Sequence, residues 1–283
     1  VGGQGKYHSE GEVASARGAR AGGHTQILST QTSQTVEDVA AARGAPVWFQ
    51  LYPSNHWHIA EGLTKRAEQA GCPVVAVTVD RAAPRNMETF QRYARADTTN
   101  CSQCHIPNAT PEERLKDRAM WTDIDLTGVE STQASGLTWD FVERLKTSTS
   151  MQVVLKGIVT AEDARLCLQH GVDGIIVSNH GGRSEASGRS TIESLPEIVA
   201  SVGGKIPVLI DGGFRRGSDI FKALALGADA VCVGRPYVFG LGAFGQEGVE
   251  KVLSILRAEF RRVMQEAGVV SVGQINADYI EKI

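Results

Sequence analysis

The sequence lacks long hydrophobic runs, a strong excess of charge and a paired set of cysteines. No apolar stretch approaches the roughly 20 residues of a transmembrane helix, so we expect a soluble protein with no membrane span. Basic and acidic residues are interspersed and leave a formal net charge of -3, which gives no nucleic-acid-binding footprint. The five cysteines are odd in number, and Cys72, Cys167 and Cys232 lie in predicted strands or helices, which argues against a disulfide framework.

The start of the sequence also lacks an initiator Met and a charged-then-apolar leader. It opens on a glycine-rich turn over residues 1–5, with no strand before that turn. Targeting cannot be read from such a start, and a cytoplasmic location is the default expectation.

What is present suits one large domain. The chain has 283 residues, of which 42% are hydrophobic, and (β/α)8 barrels of roughly 250 residues fold around a single core. Strict strand-helix alternation predicts a parallel sheet buried on both faces. We therefore predict one α/β domain over residues 1–283, a (β/α)8 TIM barrel whose first strand is absent from the sequence. The seven predicted strands cover residues 25–30, 47–52, 74–79, 151–156, 174–177, 208–211 and 230–235.

One long segment interrupts the alternation of strands and helices. Residues 81–135 are polar, lack a sustained period and follow directly on the strand that ends near Asp80. A connection of this length is usually functional when it lies in a compact domain. We interpret it as a lid-like excursion.

Polar residues lie at the carboxyl end of every predicted strand. In a (β/α)8 barrel these positions face one end, where such enzymes keep their active sites. Packing does not explain a donor, acceptor or charge at seven strand ends, so the pattern predicts an active site. The residues at these ends are Ser29, Gln50, Tyr52, Thr78, Asp80, Lys156, His180, Arg183, Asp211, Arg215, Gly234 and Arg235.

The segment SNHGGR at residues 178–183 places an imidazole and a guanidinium three residues apart after a buried strand. We interpret His180 as a proton acceptor, with Asp80 holding its tautomer and raising its basicity. The alternatives are a loop with a solvated His and Arg, and a carboxylate that caps a helix or a loop.

A phosphate site is predicted after the last two strands. The segments DGGFRRG (211–217) and GRP (234–236) supply backbone N–H groups, a helix N-terminus and cations, as barrels do when they bind phosphate. Lys156 ends a strand at the same mouth, and we interpret it as the charge beside an anionic cofactor ring. The alternative is a lysine that reaches solvent.

These motifs resemble those of a known enzyme family, the FMN-dependent α-hydroxy-acid oxidases and dehydrogenases of the glycolate oxidase and lactate oxidase group. The resemblance covers nearly the whole chain. The matching segments, in order, are WFQLY (48–52), TVD (78–80), VLKG (154–157), SNHGGR (178–183), DGGFRRG (211–217), ALALGA (223–228) and GRP (234–236).

The resemblance implies that FMN binds at the barrel mouth and that a small (S)-2-hydroxy acid is oxidised to the 2-oxo acid. The residues implied at the flavin ring are Ser29, Gln50, Thr78 and Ser178, with Lys156 near the N1–O2 edge of the ring. Those implied around the phosphate and ribityl chain are Asp211, Gly212, Gly213, Phe214, Arg215, Gly234 and Arg235.

The resemblance also assigns the chemistry. His180 is implied as the base that takes the substrate's proton while the equivalent of a hydride reaches flavin N5, and Asp80 is implied to orient it. Arg183 is implied to grip the substrate carboxylate bidentately, and Tyr52 to hydrogen-bond the substrate oxygen. The electron acceptor is O2 or another oxidant, and a homo-oligomer is expected.

The chain departs from the family pattern at three places. Met87 stands before Glu88 where a further arginine is implied, so a second carboxylate contact is lost unless Arg85 replaces it. Gln31 stands where relatives often have an aromatic residue at the substrate pocket. The segment with the first strand is missing, so we expect either a further N-terminal segment or weakened activity. A flavin-binding remnant and an FMN-dependent isomerase are the alternative functions.

Residues 101–105, CSQCH, match the attachment pattern of haem c. A pair of loop thiols, redox-active or metal-binding, is the favoured interpretation of Cys101 and Cys104. With haem at Cys101, Cys104 and His105, the enzyme would instead be a periplasmic dehydrogenase.

Overall fold

The computed structural model describes residues 1–81, 88–96, 110–184 and 186–281. Within these residues, seven strands form one sheet in which every pairing is parallel and strands adjacent in the chain are adjacent in space. The seven predicted strands are confirmed, although β4 runs past its predicted end and β7 stops before it. The strands are β1 (Ile27–Ser29), β2 (Trp48–Leu51), β3 (Val74–Thr78), β4 (Gln152–Ile158), β5 (Gly174–Val177), β6 (Val208–Ile210) and β7 (Ala230–Val231).

Helices precede β1 and follow each strand. None of the helices in the described ranges is long and apolar enough to span a membrane. The helices are α1 (Gly11–Gly22), α2 (Val36–Arg43), α3 (Trp57–Gln69), α4 (Glu88–Ala96), α5 (Pro111–Leu115), α6 (Trp139–Ser148), α7 (Ala161–Gln169), α8 (Thr191–Val202), α9 (Gly217–Ala225) and α10 (Arg235–Glu266).

Polar caps explain where several helices begin. The hydroxyl of Thr35 accepts a hydrogen bond from the N–H of Asp38 at 3.1 Å, and that of Thr160 accepts one from the N–H of Asp163 at 3.2 Å. Each bond satisfies an N–H group that the first turn of a helix leaves without a backbone partner. Thr160 is therefore the residue that caps the start of α7.

Pro196 suits the first turn of a helix, and the sequence predicts it there, but the structure places it inside α8. Ser190 and Glu193 form a reciprocal capping box, in which the N–H of Ser190 donates to the Glu193 carboxylate at 2.7 Å. This pair starts the helix at Thr191. The prediction is wrong because the cap, rather than the proline, determines where α8 begins.

The end of β7 is set by the start of α10. Pro236 lies in the first turn of α10, where a missing N–H is tolerated, so the chain turns helical soon after Val231. Inside α10 the backbone kinks at Phe244 and Gly245, which have non-helical dihedral angles. In the excursion, α4 and α5 are helices that its weak periodicity does not predict.

The sheet curls around an apolar interior. One cluster contains side chains from every strand or strand end, whereas the alternate strand positions belong to a larger cluster beneath the helices. A parallel sheet with helices outside and its own side chains inside has the architecture of a (β/α)8 barrel. The predicted fold is confirmed, and within the described ranges β1 and β7 are not paired with each other. The interior cluster comprises Ile27, Trp48, Val74, Ala76, Val154, Ile176, Leu209 and Cys232.

The kink in α10 brings Gly240 against Gly248. A Cβ added to Gly248 would overlap the carbonyl oxygen of Gly240. We expect Gly248→Ala to lower the free energy of unfolding by about 1–3 kcal/mol, as overpacking does. Gly273→Ala is the matched control, because a Cβ there meets nothing within 4 Å. Urea unfolding followed by circular dichroism measures both, and equal stabilities of the two variants would contradict a tight backbone contact.

Candidate active site

Six polar side chains converge at the carboxyl ends of the strands because side chains alternate along a strand. Each lies two residues beyond an apolar side chain that faces the barrel interior, so each points to the same side of the sheet. The structure brings these predicted site residues together at one mouth. The pairs of interior and polar residue are Ile27 and Ser29, Trp48 and Gln50, Ala76 and Thr78, Val154 and Lys156, Ile176 and Ser178, and Leu209 and Asp211.

Three of these side chains form a neutral ladder across β1, β2 and β3. The Ser29 hydroxyl donates to Gln50 Oε1 at 2.8 Å, and Gln50 Nε2 donates to Thr78 Oγ1 at 2.8 Å. The sheet register places Ser29 opposite Gln50, which makes the first bond possible. All three residues are buried. The ladder presents amide and hydroxyl groups, without net charge, to the mouth of the barrel.

A charged triangle continues the row on β4, β5 and β6. Lys156 Nζ donates to Ser178 Oγ at 2.8 Å and lies 3.2 Å from Asp211 Oδ2. Ser178 Oγ in turn donates to Asp211 Oδ1 at 2.7 Å. Only 18% of the Lys156 side chain is exposed, so this lysine faces the site rather than reaching into solvent.

His180 lies between a carboxylate and a phenol. Its Nδ1 is 3.0 and 3.2 Å from the two carboxylate oxygens of Asp80, and its Nε2 is 3.2 Å from the Tyr52 hydroxyl. The acceptor at Nδ1 assigns the ring proton to that nitrogen and leaves Nε2 with a lone pair toward the mouth. Burial lowers the pKa of His180 below its ordinary value, and Asp80 opposes this shift.

Gly157 makes room for the Asp80 carboxyl. Its φ of 114° is accessible to glycine, and a Cβ there would lie 2.6 Å from Asp80 Cβ and 2.9 Å from Cγ. The pairing of β4 with β5 shifts at this point, and Ile158 joins the outer cluster although Lys156 faces inward. Sequence reasoning missed this bulge, and its signal was a lone glycine inside an apolar strand.

The turn after β5 holds His180 in an unusual backbone conformation. His180, Gly181 and Gly182 have φ values of 58°, 71° and 78°, so three successive residues are left-handed. The Asn179 side chain accepts from the N–H of Gly182 at 2.9 Å, and the Asn179 carbonyl accepts from the N–H of Arg183 at 2.9 Å. A non-glycine residue with positive φ costs free energy unless its surroundings impose it. Asn179 supports this turn and was also missed from the sequence.

The predicted phosphate corner combines glycines of positive φ with exposed cations. Gly212 and Gly213 have φ values of 107° and 82°, and a Cβ on Gly213 would meet nothing within 4 Å. Gly234 is the N-cap of α10, and the exposed Arg235 and Arg215 flank the corner. An open helix N-terminus beside arginines is an arrangement that binds phosphate.

Phe214 lies in the core beneath the site, whereas Arg183 lies at its exposed rim. Phe214 is buried in the outer core cluster, so it supports the glycine turn from below. Arg183 is exposed at the rim, and its Nε donates to the carbonyl of His180 at 3.1 Å. Gln31 also lines the mouth, where Arg118 donates a hydrogen bond to its side-chain oxygen.

The residues at the mouth fit FMN. They line a cavity of about 1460 Å³ that also borders β1 and β7. The neutral ladder offers partners for the polar edge of a flat ring, Lys156 supplies a cation beside it, and the glycine corner with Arg215 and Arg235 suits a phosphate. Met87, Arg85 and the Cys101, Cys104 and His105 group lie outside the described residues.

Comparison with known proteins identifies the family. A family model described as FMN-dependent dehydrogenase matches residues 1–282. The chain is 40% identical to glycolate oxidase of Spinacia oleracea over 96% of its length and 73% of that protein. It is 40% identical to a peroxisomal (S)-2-hydroxy-acid oxidase of Oryza sativa subsp. japonica over 99% of its length and 75% of that protein.

This chain is also similar to solved structures of a related oxidase. The structure of mandelate oxidase with (S)-2-phenylpropionate superposes with a TM-score of 0.82 at 39% identity, over 98% of this chain and 75% of the other. The sequence motifs indicated that the protein depends on FMN, and the matching family model describes FMN-dependent dehydrogenases. The chain belongs to the FMN-dependent dehydrogenases, the family whose motifs its strand ends carry.

Proposed function

We propose that His180 is the base in the FMN-dependent oxidation of a small (S)-2-hydroxy acid to the 2-oxo acid. The observation that carries this proposal is the chain of contacts from Asp80 through the His180 ring to the Tyr52 hydroxyl at the barrel mouth. The names of the relatives, glycolate oxidase and (S)-2-hydroxy-acid oxidase, support the substrate class.

The geometry suits removal of a proton at His180 Nε2. Because burial keeps the pKa of His180 low, the imidazole is neutral at neutral pH and its Nε2 lone pair can accept a proton from the substrate hydroxyl. The resulting imidazolium would be stabilised by Asp80, whose carboxylate accepts from Nδ1. Tyr52, at 3.2 Å from Nε2, would hydrogen-bond the substrate oxygen next to the base.

FMN, when bound, supplies the acceptor for the hydrogen and electron pair that leave the substrate carbon. Ser29, Gln50 and Thr78 would hold the polar edge of the ring, and Ser178 and Lys156 would provide a donor and a positive charge beside it. The phosphate would lie against Gly213, Arg215, Gly234 and Arg235. Asp211 would fix Lys156 through the 3.2 Å ion pair and so keep its charge in place.

Arg183 would bind the substrate carboxylate from the rim of the site. Its side chain lines the cavity, and its Nε donates to the carbonyl of His180. The substrate would therefore lie between the Arg183 guanidinium and the His180 ring. A homo-oligomer also stays a prediction, and Phe239 and Phe244 on α10, which are 70% and 75% exposed, are the side chains we would examine for an interface. The electron acceptor, O2 or another oxidant, and a cytoplasmic location stay predictions.

Replacing His180 tests the base directly. We expect His180→Gln to slow anaerobic reduction of bound flavin by L-lactate or glycolate by about 100-fold or more, the range of general base catalysis, while FMN content stays unchanged. His170→Gln is the matched control, because His170 lies at the end of α7 and contacts Glu143 rather than the mouth. Stopped-flow absorbance measures both. A His180→Gln enzyme as fast as the control would remove His180 from the chemistry, and a protein that takes up no FMN would overturn the whole proposal.

The pH dependence of kcat/KM tests the role of Asp80. Activity requires neutral His180, so it should fall as pH drops through the pKa of this group, which lies below 6.5 because burial lowers it. Asp80 raises that pKa, so Asp80→Asn should move the acidic limb to still lower pH and reduce the plateau, since a weaker base remains. A limb that stays in place or moves upward would show that Asp80 does not tune the base.

Gly157→Ala should imitate the loss of Asp80. The added Cβ would displace the carboxyl from His180 Nδ1, so we expect slower flavin reduction and the same acidic shift in the pH profile. Gly71→Ala is the control, since Gly71 also has positive φ, 83°, but a Cβ there meets nothing within 4 Å. In the double variant Gly157→Ala/Asp80→Asn the two losses should not add, because both remove one contact. Fully additive losses would mean that Gly157 acts elsewhere.

A further inference from the structure

A second guanidinium lies at the reacting end of the cavity. Arg81 follows Asp80 directly, and its Cζ is 6.0 Å from the centroid of the Tyr52 ring. The hydroxyl of that ring contacts His180. Arg81 is partly buried and lines the same cavity as His180 and Arg183. Arg81 and His180 thus both lie beside Tyr52, although sequence reasoning assigned Arg81 no role.

A neutral amide, rather than a carboxylate, fixes Arg81. With the Gln133 amide oriented so that its oxygen faces the guanidinium, that oxygen accepts from Arg81 Nη2 at 2.6 Å and from Nε at 3.3 Å. The ion pairs at this mouth among the described residues join Lys156 to Asp211 and His180 to Asp80, and neither includes Arg81. A cation held by an amide keeps its full charge for a ligand.

The charge of Arg81 acts where the substrate would lie. Burial raises the pKa of the Tyr52 phenol, and Arg81 is the strongest of the groups that oppose this shift, ahead of Lys156. An anionic group beside the Tyr52 hydroxyl would be attracted by the same positive charge of Arg81. Met87, at which the family resemblance implies a second carboxylate-binding arginine, has an apolar side chain and cannot supply that charge.

We propose that Arg81 binds the substrate carboxylate together with Arg183, so that the anion lies between two guanidiniums beside Tyr52. This proposal rests on the proposed function, since it concerns the same site. It makes Arg81 a determinant of specificity for a free carboxylate over an uncharged amide of the same shape. Arg183 would reach the carboxylate from the rim, and Arg81 from the side of Tyr52.

The test compares acid and amide on the FMN-loaded enzyme. Arg81→Met and Arg81→Lys are measured by anaerobic flavin reduction with L-lactate and with L-lactamide. Binding of pyruvate to the oxidised enzyme is measured by titration calorimetry. Arg81→Met should raise the Kd of L-lactate and of pyruvate by about 10- to 100-fold, the loss of a charge-assisted hydrogen bond, and should leave that of L-lactamide nearly unchanged. Arg81→Lys should recover part of the loss.

Arg165→Met controls for the change in net charge, because Arg165 is on α7 and pairs with Glu162 away from the mouth. Unchanged pyruvate binding in Arg81→Met, or equal weakening of acid and amide, would overturn the proposal. If Arg81→Met fails to fold, Arg81→Lys decides by the same comparison of acid and amide. A wild-type flavin that no 2-hydroxy acid reduces would overturn the proposed function instead, and the two failures are therefore distinct.

Discussion

Side chains on a strand alternate between its two faces, and in this barrel that alternation decides which residues meet. The interior positions are apolar along most of each strand and become polar at the carboxyl end, where Ser29, Gln50, Thr78, Lys156, Ser178 and Asp211 converge. A shift of one residue in any strand would turn its polar residue toward the helices and its outer apolar residue into the interior. Hydrophobic burial on both faces therefore fixes the register, and the register positions the site.

The charges of the site fall into two groups that differ in their partners. The inner nitrogen groups face carboxylates, since the Lys156 ammonium pairs with Asp211 and the His180 ring contacts Asp80. The arginines at the rim are held by neutral oxygens instead, so no carboxylate in these contacts cancels the charge that an anionic ligand would meet. These arginines donate hydrogen bonds, Arg183 to the carbonyl of His180, Arg215 to that of Phe214, Arg235 to that of Gly181 and Arg81 to the amide oxygen of Gln133. The mouth thus attracts anions while its interior stays balanced.

Sequence patterns predict the parts of this structure that burial controls. The apolar runs located all seven strands. Strand-end reasoning also placed Asp80 near His180 and Lys156 at the same mouth, where the structure shows contacts of 3.0 Å from Asp80 to His180 and 2.8 Å from Lys156 to Ser178. The remaining features depend on tertiary contacts. The bulge at Gly157 becomes visible only when the Asp80 carboxyl fills the space beside it. Likewise the position of Arg81 depends on Gln133, which is distant in the chain.

The second half of the excursion connects the barrel to this rim. Asn55 Oδ1 accepts from the N–H groups of Glu130 and Ser131 at 3.1 and 3.2 Å, and the Ser54 hydroxyl donates to the carbonyl of Ser131 at 2.8 Å. These bonds attach the segment to the loop between β2 and α3, only two residues before Gln133. Since Gln133 in turn orients Arg81, a hydrogen-bonded path runs from the end of β2 to the guanidinium over Tyr52. Residues 131–133 thereby contribute to the electrostatics of the site through the orientation of Arg81.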